Sequence, residues 1–283
     1  MSQEVNHIFS RVLLESVKIT LLVFVMMVVI DFLNVVTRSK LEKLLRGRKW
    51  RQYVVAPAVG AVPGCLGMFT DVTLYMHGLI SFGALAGAMM AGSGDEAYVM
   101  LTLFPQKALL LFAILTVIGI SLGPIVDLLL PKIGYKPCEQ CAVPIYHVEE
   151  HGWRHYLTKH IWSHILKRHL WKVFLWTFGA LLLLELGLTY WHISEFTTRY
   201  PILMFFIAAA IGLIPESGPH MIIVTMFAEG LIPFSVLVTS SVVQDGHGLL
   251  PLLSYSWKDS LVVKGFNAIF GLGIGFLMYA FGS

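Results

Sequence analysis

The chain has 283 residues, a formal net charge of +3, 57% hydrophobic residues and only 13% charged ones, and its mean hydropathy is +0.75. These values lie outside the range of soluble globular domains and predict an all-α integral membrane protein whose first partner is the lipid bilayer. So small a net charge leaves no footprint for nucleic acid, and three cysteines do not make a disulfide framework.

The first apolar run, residues 17–36, carries Lys18 at its start and one interruption deeper in, Asp31, and is long enough to cross a hydrocarbon core that needs about 20 residues. No A-x-A-like cleavage site follows it, so a retained helix is expected. Apolar segments follow at 54–62, 66–90, 97–104 and 108–130, then at 171–191, 201–214, 221–243, 249–255 and 261–281. Several are too short to span and are broken by Pro or Gly. Within a bilayer such breaks are tolerated where backbone is buried in protein or lines an aqueous cavity. Discontinuous or re-entrant helices are therefore expected among about ten membrane segments.

Sliding the sequence against itself shows why there are five and five. At an offset of 152, residues 60–123 lie over 212–275: Pro63 meets Pro215, Thr73 meets Thr225, and Gly60, Gly78, Gly94, Gly119 and Gly123 meet Gly212, Gly230, Gly246, Gly271 and Gly275. Placed glycines and prolines, unlike shared oiliness, signal a repeat. Residues 1–130 form a first membrane repeat, 131–169 a linker, and 170–283 a second membrane repeat.

Positive charge sets the orientation. The loop TRSKLEKLLRGRKWRQ after the first span holds seven Lys and Arg, whereas its counterpart HISEFTTRY holds one Arg. The first loop and the basic linker are expected in the cytoplasm and both termini outside, which makes the two repeats inverted in topology.

Ionisable groups at bilayer depth cost several kcal/mol each, about 2.5 to 3.5 on insertion scales, so they are functional candidates. They gather at the broken segments: Asp71 and His77 after Pro63, and Glu216, His220 and Glu229 around Pro215. Two glycine-rich turns, GSGDE (Gly92 to Glu96) and QDGHG (Gln244 to Gly248), stand in register, and interfacial solvation would account for their acids. Carboxylate oxygen with imidazole nitrogen is the ligand set of Mn²⁺, Fe²⁺ or Zn²⁺. Asp71, Glu216, His220 and Glu229 are the expected metal ligands, with His77 and Asp245 assisting or relaying protons. Asp31 and Glu185 are expected to pair with Lys107 or Lys264. The linker adds Cys138, Cys141, His147, His151 and His155, a set that suits a Zn²⁺ ion, although an amphipathic interfacial helix explains the same pattern.

Intramembrane arginine is missing and the acids would repel an oxyanion, so a cation or a neutral metalloid is the expected cargo. The chain has no HExxH, GxSxG, Walker or dinucleotide-binding motif. No enzyme activity and no resident cofactor are expected, and transport would run on a gradient.

The stretches GAVPGCLGMFTDVTLYMHG, GLIPESGPHMIIVTMFAEG and VVQDGHGLLPLL, with the His-rich linker, resemble the ten-helix heavy-metal exporters of bacteria, related in name to arsenic efflux permeases and also described as manganese transporters. The resemblance implies metal efflux from the bacterial cytoplasmic membrane and carries no binding residues with it. The expected function is export of a divalent metal ion, Mn²⁺ by preference, with a homo-oligomer as a further possibility. Arsenite or organoarsenical efflux is the runner-up, and a membrane metal sensor or scaffold worked by the linker is the alternative of another class.

Overall fold

The computed structural model describes residues 8–21, 24–25, 49–76, 78–137, 171–190, 193–215, 217–245 and 248–282. All regular structure among them is helical: α1 (8–21), α2 (Lys49–Gly60), α3 (Cys65–Met76), α4 (Phe82–Ala91), α5 (Glu96–Leu103), α6 (Pro105–Leu129), α7 (Trp171–Tyr190), α8 (Ile193–Arg199), α9 (Pro201–Gly212), α10 (His220–Ala228), α11 (Phe234–Val243), α12 (Leu249–Tyr255) and α13 (Trp257–Ala280). Among the described residues, α6 and α13 are long and apolar enough to cross a membrane alone.

The centre is made of two short helices, α4 and α11. Every residue of α4 is buried, as are Ser235 to Val243 of α11. At 1.5 Å per residue each is about 15 Å long, half a hydrocarbon core. α4 packs on α6 through glycines: a Cβ at Gly83 or Gly87 would overlap the backbone of Gly123 or Gly119. Without lipid-excluding hydrophobicity to drive it, such contact needs backbones that approach closely. On the other side Gly271 and Gly275 of α13 fit against Val243 and Thr239 of α11.

Caps and one carboxylate fix the ends. Ser81 caps α4 by accepting from the Ala84 amide, and Ser256 caps α13 by accepting from Asp259. Asp127 of α6 accepts from Tyr53 Oη (2.7 Å), Ser81 Oγ (2.5 Å) and the Gly83 amide (2.7 Å), joining α2, α4 and α6 at the positive end of α4.

Helix boundaries recur. α2 and α9 differ by 152 at both ends, as do α4 and α11, and α6 and α13 start 152 apart. The packing triad α2, α4 and α6 has its counterpart in α9, α11 and α13. Tyr135, just past α6, donates to Asp259 in the first turn of α13 at 2.5 Å, so α13 begins beside the end of α6. The polar ends of the central helices, not their apolar lengths, then decide what the interior can hold.

Candidate cation site at the helix breaks

Four breaks interrupt the central helices: residues 61–64 between α2 and α3, 92–95 between α4 and α5, 213–219 between α9 and α10, and 244–248 between α11 and α12. They are tied to one another. Gly64 donates its amide to the Gly94 carbonyl (3.0 Å) and Tyr98 its phenol to the Pro63 carbonyl (2.9 Å). Gly64 has φ of 95° and faces Tyr98 Oη, so a side chain is excluded twice over. Gln244 Nε2 donates to the Gly92 carbonyl at 3.3 Å, linking the two glycine-rich turns. Met68 is wedged between them, against Gly92 and Gly248.

Both turns are interior. Asp95, Glu96 and Asp245 are all buried, which corrects the expectation that they reach the interface. A helix break surrounded by other breaks stays inside the protein even though its sequence reads as a loop. Asp245 is also engaged: Lys264 Nζ lies 2.6 Å from its Oδ2 and Asn267 donates to its Oδ1 at 2.5 Å. Lys264 further donates to the carbonyls of Gly212 (2.7 Å) and Val243 (3.3 Å), at the ends of α9 and α11. Its charge thus sits on two negative helix ends and a carboxylate. Among the described residues Asp245 is the carboxylate paired with Lys264; the expected pairing with Asp31 or Glu185 falls on side chains outside them. Lys107 is exposed and lies over the Phe234 ring.

The other expected ligands are distributed unevenly. Asp71 of α3 is fully buried and neither oxygen has a hydrogen-bond partner. His220, first residue of α10, is 2% exposed; its Nδ1 lies 3.2 Å from Ser240 Oγ and its Nε2 has no partner. Glu229, by contrast, is exposed at the C-terminal cap of α10, where the helix has already ended and water can solvate it. Among the described residues no three His, Cys, Asp or Glu side chains come close enough together to hold a metal ion, so these residues do not form a closed cage. His77, Glu216, Asp31, His247 and the linker's Cys138, Cys141, His147, His151 and His155 lie outside the described residues; of Glu185 only the backbone is described.

Glu96 is the group whose charge the sequence assigned to interfacial solvation. It opens α5, is fully buried, and leaves both carboxylate oxygens without a partner; Ser217 stands beside it, outside hydrogen-bond geometry. Asn267 was missed in the sequence. Its neighbour Lys264, one helical turn earlier in an otherwise apolar helix, was the available signal.

The arrangement offers buried oxygen and nitrogen donors at places where backbone is interrupted, the combination through which ions pass in membrane proteins. A family model described as "Putative, 10TM heavy-metal exporter" matches residues 9–175 and 159–282. No curated protein matches the chain, and no solved structure does. With nearly its whole length matched, the chain belongs to the family so described.

Proposed function

We propose that the protein is a secondary transporter that exports a divalent heavy-metal ion, Mn²⁺ by preference, along a path through the helix breaks. The observation that carries this reading is the pair of buried groups with free ligand atoms, Asp71 and His220. An unpartnered buried carboxylate is costly unless a cation or proton joins it. A transporter needs such an unsatisfied site, because its cargo must be welcome there and yet able to leave. Asp71 and His220 take the part of ion-path groups, joined by Glu216 and His77 at the same breaks, while Asp245 serves by holding Lys264. Carboxylate and imidazole favour Mn²⁺, Fe²⁺ or Zn²⁺ over arsenite, which calls for clustered thiols.

Two inverted halves in a bacterial cytoplasmic membrane, with the linker inside, complete the reading. The common offset of 152 supports a repeat. The Tyr135–Asp259 bond supports inversion. In a parallel repeat the start of α13 would lie near the start of α6, about 37 Å from its end by helical rise.

The test is cellular metal content, measured by elemental analysis in metal-sensitive bacteria challenged with Mn, Zn, Fe, Co or arsenite. Wild type is expected to lower manganese, and Asp71→Asn to abolish most of that effect. Lowered arsenic with unchanged manganese would move the assignment to metalloid efflux. Loss confined to a Cys138→Ser/Cys141→Ser variant would favour the sensor.

A further inference from the structure

We propose that Glu96 of the first half and His220 of the second, with the Ser217 hydroxyl beside them, form the cation-binding centre of the transport path. This rests on the reading of the chain as a cation exporter and names where its ion is held.

Three observations converge. Glu96 is 0% exposed with both oxygens unpartnered. His220 Nε2 is buried and unpartnered, and Nδ1 lies 3.2 Å from Ser240 Oγ; in the tautomer with the proton on Nδ1 the lone pair lies on Nε2, as a ligand nitrogen requires. Glu96 and His220 each open a short helix, and those helices, α5 and α10, pack together with Ser217 beside the carboxylate. Two carboxylate oxygens, one imidazole nitrogen and a hydroxyl make a mixed oxygen and nitrogen set, suited to a borderline divalent ion.

Helix position does not by itself account for Glu96. An acid at a helix N-terminus gains about 0.3 to 1 kcal/mol, whereas an intramembrane charge costs about 2.5 to 3.5 kcal/mol or more. The other buried acids are less apt as the centre. Asp245 is already neutralised by Lys264 and held by Asn267. Asp71 has no polar or charged neighbour acting on it among the described residues, and so no second ligand among them. Glu96 alone of the three has a polar side chain from the other half, Ser217, beside its carboxylate, with His220 opening the helix that packs on its own. A centre shared between halves would be opened or closed when one half moves against the other, which is what alternating access requires.

The experiment uses the full-length purified protein in detergent, with Mn²⁺ as probe, and reads free Mn²⁺ by its electron paramagnetic resonance signal during titration. Wild type is expected to bind. Glu96→Gln, which keeps the shape, should weaken binding at least tenfold, His220→Gln several-fold, and Glu96→Asp should fall between. Chromatographic elution and thermal melting establish that the variants are folded; should Glu96→Gln fail to fold, Glu96→Asp and His220→Gln carry the test. If wild type binds and exports Mn²⁺ while folded Glu96 and His220 variants bind within twofold of it, this centre is wrong and the exporter reading stands. If wild type neither binds nor exports any divalent ion, the exporter reading fails and the centre with it.

Discussion

Gln244 donates a hydrogen bond to the carbonyl oxygen of Gly92 at 3.3 Å, and the two residues are 152 positions apart. That spacing is the offset at which helix boundaries recur. In a two-fold repeat, a residue bonded to its own counterpart lies beside the axis that relates the copies. Gln244→Ala should leave the Gly92 carbonyl buried without this donor and lower stability by about 1 to 2 kcal/mol. A drop of several degrees in the melting temperature of purified protein would show it; an unchanged melt would mean the contact is not made.

Lys264 supports a second prediction. Lys264→Met removes the cation from Asp245 and the donor from the Gly212 and Val243 carbonyls. Breaking a buried pair from one side costs about 3 to 5 kcal/mol, because the remaining charge is left uncompensated. The double variant Lys264→Met/Asp245→Asn should recover part of that loss in folded yield and melting temperature. Equal damage in single and double variants would refute the ion pair as the cause.

Asp259 collects two phenols, Tyr75 Oη at 2.9 Å and Tyr135 Oη at 2.5 Å, and so holds α3 and the end of the first half to the start of α13. Burial and the bond to Asp259 push the Tyr135 phenol above its ordinary pKa. A raised folded value means that the stabilisation is complete below the unfolded tyrosine pKa of about 10 and is lost as pH rises beyond it. Melting measured between about pH 8 and 11 should therefore fall at the alkaline end in wild type, with a smaller fall in Tyr135→Phe. Identical alkaline profiles would remove this role.

The glycine contacts between α4 and α6 predict a steric outcome. Gly87→Val should separate the helices, since its Cβ would overlap the Gly119 backbone, and overpacking of this kind costs about 1 to 3 kcal/mol or more. Folded yield measured by fluorescence-detected chromatography checks it, with Gly179→Ala as the benign comparison because nothing lies within 4 Å of its Cβ position.

Much of the architecture was legible because its signals are local. Pro105 and Pro201 start helices, and Gly119, Gly123, Gly271 and Gly275, four of the glycines that aligned in sequence, are where α6 and α13 pack closely on α4 and α11. Burial of the glycine-rich turns was not legible. GSGDE and QDGHG read as interfacial loops, and only the meeting of four breaks in three dimensions puts Asp95, Glu96 and Asp245 inside. Pairing was equally hidden: Lys264 reaches Asp245 through the fold of α11 against α13, a relation that no spacing rule along one helix reports. The exposure of Glu229 was hidden for the converse reason: it stands close to buried Thr225 and Met226 in sequence but past them on the exposed end of the helix.

Transport in proteoliposomes decides whether this chain moves divalent heavy-metal ions. Purified protein reconstituted into vesicles holding a Mn²⁺-quenched dye should carry Mn²⁺ across the membrane under an imposed ion gradient, with Asp71→Asn and Glu96→Gln vesicles close to the protein-free leak. Vesicles in which wild type carries no divalent metal above that leak under any imposed gradient would contradict the account.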